Sequence, residues 1–173
     1  MALKTLLLTL VSVLLRTGGL PEGTKLPETD PLMIRATANA AAIETVTEKL
    51  VKNPIERETW ARIAFVFGFF EASWLSNPKG DNDKGAACGV MQVHTPEKFV
   101  PGATCTAVRK DLALGYEVGL TLMLQLEAQC GSKAAALTAF ATNGTCPKGW
   151  TLPLIKRRCK MAGLTEECRA KAA

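Results

Sequence analysis

Hydrophobic side chains recur at helical spacing through most of the chain. Apolar positions three or four residues apart are typical of an amphipathic helix that buries one face. This pattern predicts three long helices at residues 32–51, 55–74 and 111–129, and three short ones at residues 133–141, 152–161 and 165–172. The sequence therefore predicts a mainly α fold.

Capping residues mark the ends of several predicted helices. Asn53 suits an N-cap, and Pro54 suits the first position of the helix that follows. Gly131 ends the third long helix, and Ser132 caps the next one. These residues fix the expected boundaries more closely than the apolar spacing does.

The helical pattern is interrupted between residues 76 and 94. Residues 76–86 are a run of turn-forming side chains, which predicts a small hairpin or an irregular excursion. A compact apolar segment, residues 88–93, follows it. We expect at most a minor β element here.

The first 31 residues read as a separate N-terminal segment. An apolar run at residues 6–15 follows Lys4 and is too short to span a bilayer. It fits an export signal, and it equally fits a retained amphipathic helix that packs on the domain or on a partner. Residues 21–31 have the composition of a linker. We therefore expect a main domain at residues 32–173.

Composition and charge narrow the function classes. The chain has 173 residues, of which 47% are hydrophobic and 21% charged, so it is globular rather than disordered. Its net charge of +5 favours polyanionic partners, such as nucleic acid or an anionic bacterial envelope. Aromatic residues are only 6% of the chain, which argues against base stacking, and we expect no nucleic-acid partner. The cluster Lys156-Arg157-Arg158 is interpreted as a solvated helix face.

The cysteines favour disulfides over a metal site. The chain has six cysteines, none in a C-x-x-C pair, and His94 is the single histidine. We expect no metal and no cofactor. Disulfides would require an oxidising, extracytoplasmic compartment, and the alternative is a set of buried reduced thiols.

Glu71 is the first candidate for chemistry. It lies near the end of a predicted helix, after Phe69 and Phe70. Those rings and the negative end of the helix dipole would disfavour a charged carboxylate, and glycosidic cleavage needs a carboxylic acid that can protonate a leaving oxygen. The alternative is a surface glutamate at a frayed helix end.

Two further segments carry polar side chains in unusual settings. Gln92 stands in the apolar segment after Gly89, where its amide could orient a sugar or simply be a satisfied group in a buried strand. Asn143 follows a predicted helix and is, on its own, most simply a turn former.

Together the three segments resemble the signature of the soluble lytic transglycosylase and goose-type lysozyme superfamily. Members show E-S-x-F/W, then G-A-x-G-L-M-Q-V, then A-Y-N-A-G. The corresponding segments here, in the same order and at similar spacing, are E-A-S-W at residues 71–74, G-A-A-C-G-V-M-Q-V at residues 85–93 and A-T-N-G at residues 141–144. The resemblance covers about residues 55–144. It implies a lysozyme-like fold, a helical bundle with a small hairpin or loop excursion beside an active-site cleft.

The resemblance also implies roles for individual residues. Glu71 matches the catalytic acid/base, and Trp74 matches a chiefly structural aromatic. The substrate-binding side chains implied by the three segments are Ser73, Met91, Gln92, Val93, His94, Thr142 and Asn143.

Departures from the signature leave the chemistry open. The serine after the catalytic glutamate is Ala72 here, and the tyrosine of the third segment is Thr142, which weakens transglycosylation in particular. An inverting hydrolase needs a second carboxylate, for which Asp83 is the first candidate and Asp81 a close competitor. Asp83 is also interpretable as a solvated loop residue.

The expected function is cleavage of the MurNAc-GlcNAc β-1,4 bond of peptidoglycan, by hydrolysis or transglycosylation, with roles such as phage endolysin or virion-associated lysin. The alternative is a non-catalytic glycan-binding or structural virion or envelope protein of the same fold. We expect a monomer that binds peptidoglycan strands, and residues 1–20 are a candidate contact with a membrane or virion.

Overall fold

Helices make up most of the structure. The computed structural model describes residues 3–17, 26–76, 86–142, 144–148 and 151–166. In this part of the chain the α-helices are α1 (Leu3–Thr17), α2 (Pro31–Leu50), α3 (Pro54–Ala72), α4 (Cys105–Lys110), α5 (Leu112–Cys130), α6 (Lys133–Phe140) and α7 (Pro153–Met161). The mainly α class predicted from the apolar spacing is confirmed.

One small antiparallel hairpin accompanies the described helices. Strands β1 (Ala87–Cys88) and β2 (Val93–His94) pair with Cys88 opposite Val93, and a short 3-10 helix (Pro96–Lys98) follows. The hairpin therefore forms from the compact apolar segment, directly after the turn-rich run in which we expected it. Residues 77–85 of that run lie outside the described residues.

Capping residues set the helix boundaries as their side-chain chemistry requires. The Asn53 side chain accepts from the amides of Ile55 and Glu56 at the start of α3. Gly131 ends α5 in the left-handed region, with φ of 78°, and the Ser132 hydroxyl accepts from the Ala135 amide to begin α6. Helix α4 was not predicted from the spacing; Thr104 caps it by accepting from the Ala107 amide.

Helix α3 lies in the middle of the core. It contacts α1, α2, α5 and α7, and its inward side chains include Trp60, Ile63 and Phe67, each nearly inaccessible to solvent. Helix α5 packs against α2 and α6 and contributes Tyr116, which is fully buried. The predicted apolar faces of these two helices therefore meet in one hydrophobic core.

Helix α1 belongs to that same core. It packs on α2, α3 and α7, and Leu7 and Leu14 are fully buried. Buried residues on both sides of the expected boundary at residue 31 therefore share one hydrophobic core. No helix of the described ranges is both long and apolar enough to cross a bilayer. Residues 18–25 of the predicted linker lie outside the described residues.

Disulfides join elements that are close in sequence but belong to different local structures. Cys88 of β1 is bonded to Cys105 at the start of α4, and Cys130 at the end of α5 is bonded to Cys146. Cys159 of α7 is disulfide-bonded as well. The disulfide interpretation is confirmed for these cysteines, while Cys168 and most of the sixth predicted helix, residues 165–172, lie outside the described residues.

Candidate functional site

A pocket of about 530 Å³ lies where α3, the hairpin, the end of α6 and α7 meet. It is open to solvent and has an apolar wall with polar groups at several points, as small-ligand sites commonly do. The lining residues are Glu71, Gln92, Val93, His94, Thr95, Lys98, Phe99, Leu122, Leu126, Phe140, Ala141, Gly144, Leu154 and Arg158. All three segments of the sequence signature contribute to it.

Glu71 reaches the pocket from the last turn of α3. The helix ends at Ala72, and Ser73 and Trp74 both adopt left-handed backbone conformations, with φ of 49° and 60°. The Trp74 indole is buried, and its Nε1–H donates to the Phe65 carbonyl oxygen at 2.8 Å. The helix end that carries Glu71 is therefore anchored in the core, and Trp74 has the structural place expected of it.

Ser73 does not line the pocket. Its side chain is exposed, and its amide donates to the Phe69 carbonyl oxygen at 2.8 Å as part of the helix C-cap. Ser73 thus terminates α3, and the pocket lining does not include this predicted site residue.

An ion pair with Arg158 holds the Glu71 carboxylate. The Arg158 guanidinium donates to Glu71 Oε1, and the two side chains are 13% and 25% exposed, respectively. The same guanidinium lies over the rings of Phe67 and Phe70, with centroid distances of 4.7 and 5.2 Å. The phenylalanine rings near Glu71 therefore stack on its cationic partner.

Arg158 is a functional candidate that the sequence interpretation missed. The sequence predicted that Lys156-Arg157-Arg158 forms a solvated helix face. This is wrong for Arg158, because within this cluster only Lys156 and Arg157 are exposed. The available signal was its position within α7, between the buried residues Ile155 and Cys159. A residue three positions after one buried side chain and one before another lies at the edge of the buried face of a helix.

The hairpin loop presents Gln92 to the pocket. Gly89 and Gln92 both have positive φ, 68° and 50°, which turns the chain sharply between the strands. The Gln92 Nε2–H donates to the Gly89 carbonyl oxygen at 2.7 Å. This bond fixes the side-chain amide, whose oxygen is a hydrogen-bond acceptor.

Val93 and His94 follow in β2 and also line the pocket. Val93 is almost fully buried and His94 is exposed. Both predicted site residues of the strand are therefore at the cavity, one forming an apolar wall and the other a polar rim.

Met91 lies in the core and is absent from the pocket lining. It is fully buried, and a Cβ added at Gly119 of α5 would come within 2.6 Å of its side chain. The preceding Val90 packs tightly on Gly115, where an added Cβ would lie 3.3 Å from its Cγ1 atom. These two glycines let the hairpin loop pack directly on α5, so Met91 anchors the loop rather than lining the cleft as expected.

The third segment reaches the pocket through its ends. Ala141 and Gly144 line the cavity, whereas the Thr142 hydroxyl donates to the Thr138 carbonyl oxygen at 2.8 Å and is not among the lining residues. Asn143 lies outside the described residues, as do Asp81 and Asp83, so the second carboxylate has no described position.

The polar groups of the pocket suit a neutral or anionic ligand. Lys98 and Arg158 add positive charge beside the single described carboxylate of the lining, Glu71. Among the described residues, no group of three or more His, Cys, Asp or Glu is placed to hold a metal ion. The arrangement supplies one carboxyl group for proton transfer, an amide and an imidazole for hydrogen bonding, and apolar walls.

No protein-family model, curated protein or solved structure was found to match this chain.

Proposed function

We propose that the pocket cleaves peptidoglycan glycan strands, with Glu71 as the general acid/base. The observation that carries this proposal is the meeting of Glu71, Gln92, His94 and Gly144 in one cavity, although they come from three segments of the chain that are far apart in sequence. Glycosidic bond cleavage requires a carboxyl group that can protonate the leaving oxygen, and Glu71 lies at a ligand-sized cavity that the Gln92 side chain also lines.

Arg158 gives the mechanism a specific requirement. A general acid must present its carboxyl group to the glycosidic oxygen, and in the free protein Oε1 of Glu71 accepts from the Arg158 guanidinium. This contact must therefore rearrange when a sugar occupies the pocket.

Hydrolysis and transglycosylation remain alternative forms of this proposal. Hydrolysis by inversion requires a second carboxylate on the opposite face of the sugar, for which Asp83 and then Asp81 are the candidates. Transglycosylation uses the hydroxyl of the sugar itself and requires none. Mass spectrometry of released muropeptides separates them, since reducing ends indicate hydrolysis and anhydro ends indicate transglycosylation.

A second candidate function, glycan binding without cleavage, is favoured by the same ion pair. If the pair persists when ligand binds, the Glu71 carboxyl group stays engaged with Arg158 instead of the glycosidic oxygen, and the pocket only binds. Wild-type protein that pellets with purified cell walls yet leaves their turbidity unchanged would support this alternative.

Glu71→Gln tests the catalytic proposal. The amide keeps the size of the side chain and removes its ability to donate a carboxyl proton. We expect loss of cell-wall clearing by at least about a hundredfold, measured by turbidity. Thermal unfolding of both proteins serves as the control for folding, and clearing at the wild-type rate by the variant would remove Glu71 from the mechanism.

The disulfides suit an enzyme that works outside the cytoplasm. We propose the same location for this protein, with phage lysis, phage entry and wall remodelling as roles that such an activity would serve.

A further inference from the structure

The turn that follows Glu71 is held in an unfavourable backbone conformation. Ser73 and Trp74 are consecutive non-glycine residues with positive φ, a region that L residues avoid. Such a conformation persists only when its surroundings determine it. Local hydrogen bonds contribute, because the Ser73 and Trp74 amides donate to the carbonyl oxygens of Phe69 and Gly68.

A buried hydrogen-bond chain from two other helices reaches the same turn. The Asn39 Nδ2 group of α2 donates to the Trp74 carbonyl oxygen at 3.1 Å and to the Arg35 carbonyl oxygen at 2.8 Å. The Tyr116 hydroxyl of α5 donates to Asn39 Oδ1 at 2.5 Å. Asn39 is 1% exposed and Tyr116 is 0% exposed, so water does not compete for these bonds.

Helix α3 has a glycine, Gly68, where the Tyr116 hydroxyl packs against it. A Cβ at Gly68 would lie 2.3 Å from the Tyr116 hydroxyl oxygen, so a side chain at that position would displace the phenol. Gly68 also accepts the Trp74 amide through its carbonyl oxygen at 3.1 Å. The glycine, the tyrosine and the asparagine therefore meet at the end of α3 that carries Glu71.

We propose that Tyr116 and Asn39 are positioning residues, which fix the Ser73–Trp74 turn and thereby set the place of the Glu71 carboxyl group in the pocket. This inference rests on the function proposed above for Glu71. Its physical basis is the sensitivity of proton transfer to small displacements of the donor. Burial raises the pKa of Tyr116 well above 10.0, so the phenol stays a neutral donor across the working range of such an enzyme.

The double variant Asn39→Leu/Tyr116→Phe is the first test. It removes the Asn39–Tyr116 side-chain pair together, so neither polar side chain is left buried without the other, and it takes the Asn39 donor away from the Trp74 carbonyl oxygen. Thr47→Val is the matched control: Thr47 is also fully buried on α2, and its hydroxyl bonds within that helix, to the Ile43 carbonyl oxygen at 2.8 Å.

With soluble glycan strands as substrate, we expect the double variant to lower kcat by about tenfold or more and to leave KM within about twofold. Thr47→Val should leave both constants near the wild-type values. Equal losses of kcat in the double variant and the control, or an unchanged kcat in the double variant, would overturn the proposal. Tyr116→Phe alone provides a second variant if the double substitution does not fold.

Amide hydrogen exchange tests the same claim without catalysis. The Ser73 and Trp74 amides should exchange about tenfold faster in the double variant, relative to core amides of α5, and should be unchanged in Thr47→Val. Unchanged protection of these two amides would overturn the positioning role even if activity fell. Wild-type protein that cuts no glycan would contradict the proposed function. The exchange measurement would then still decide whether the hydrogen bonds of Asn39 and Tyr116 fix the turn.

Discussion

Arg158 is the ion-pair partner of the Glu71 carboxylate in the free protein. Its guanidinium is held between that carboxylate and the rings of Phe67 and Phe70, which orients a planar cation at the pocket wall. A flat, delocalised guanidinium can stack and donate in a fork at the same time, whereas an ammonium group cannot. The identity of this side chain, and not only its charge, should therefore matter.

Arg158→Lys tests that point. We expect kcat for glycan cleavage to fall by about tenfold, because the lysine keeps the charge but loses the stacked orientation of Glu71's partner. Arg157→Lys, an exposed neighbour on α7, is the control and should have little effect. Indistinguishable kinetics of the two variants would mean that Arg158 acts only through its charge or not at all.

Tyr116 gives the protein a specific alkaline instability. Burial raises its pKa well above 10.0, so the folded protein keeps the phenolic proton where the unfolded chain loses it. The group therefore has no effect on the pH dependence of stability below about pH 10. Above that, the unfolding free energy should fall by about 1.4 kcal/mol per pH unit.

Urea unfolding of wild type and Tyr116→Phe above about pH 10 isolates the contribution of Tyr116. The unfolding free energy of the variant should fall less steeply with pH, because the variant lacks the phenol. Tyr116 is the single tyrosine of the chain, so absorbance of the phenolate reports on it directly. A phenol that titrates near pH 10 in the folded protein would contradict its burial.

At the scale of elements, local chemistry predicts helix boundaries well. Asn53, Gly131 and Ser132 mark helix ends that the structure reproduces, because capping depends on groups within a few residues. Helix α4 was not predicted, because its six residues are too few to show a periodic apolar face. The turn-forming run at residues 76–86 predicted a hairpin or an irregular excursion, and the described hairpin forms in the apolar segment that follows; residues 77–85 lie outside the described residues.

Helix α1 shows what local patterns leave open. An apolar run of this length fits either an export signal or a packed helix. The contacts of α1 with α2, α3 and α7 are not part of that local pattern. In the structure its inward face completes the core.

Leu7→Ala tests the packing of α1. Leu7 is fully buried, so removing its side chain should lower the unfolding free energy by about 3 kcal/mol. Ile55→Ala is the control, because Ile55 is 78% exposed and should change stability by less than about 0.5 kcal/mol. Equal midpoints of urea unfolding for both variants would show that α1 does not contribute to the folded core.

At the scale of the whole molecule, the pocket is assembled from distant segments by the core and the disulfides. Cys146 lies two residues after Gly144, which lines the pocket, and its bond to Cys130 ties that loop to the end of α5. Cys88 precedes the hairpin loop that carries Gln92, and its bond to Cys105 ties β1 to α4.

Replacing Cys130 and Cys146 with serine should lower the unfolding free energy by about 3 kcal/mol. The bond joins residues with a sequence separation of 16 and so closes a loop in the unfolded chain. Urea unfolding under non-reducing conditions measures this loss. An unchanged midpoint would mean that this cross-link does not restrain the unfolded chain.

The sequence predicts which segments form the site better than it predicts which side chains face the cavity. Glu71, Gln92 and His94 line the pocket as expected, whereas Met91 turns into the core because Gly119, almost thirty residues away, leaves space for it. Arg158 was missed for the same reason, since its partner Glu71 is 87 residues distant in sequence. The position of Arg158 between Ile155 and Cys159 marks the edge of a buried helix face, but the partner that it meets there depends on the tertiary fold.

The release of soluble glycan fragments from purified peptidoglycan tests the central claim most directly. Wild-type protein and Glu71→Gln are incubated with the same sacculi, and the fragments are identified by mass spectrometry. The proposed mechanism predicts disaccharide-containing fragments with reducing or anhydro ends from the wild type and none above background from the variant. Fragments released equally by both proteins, or by neither, would contradict it.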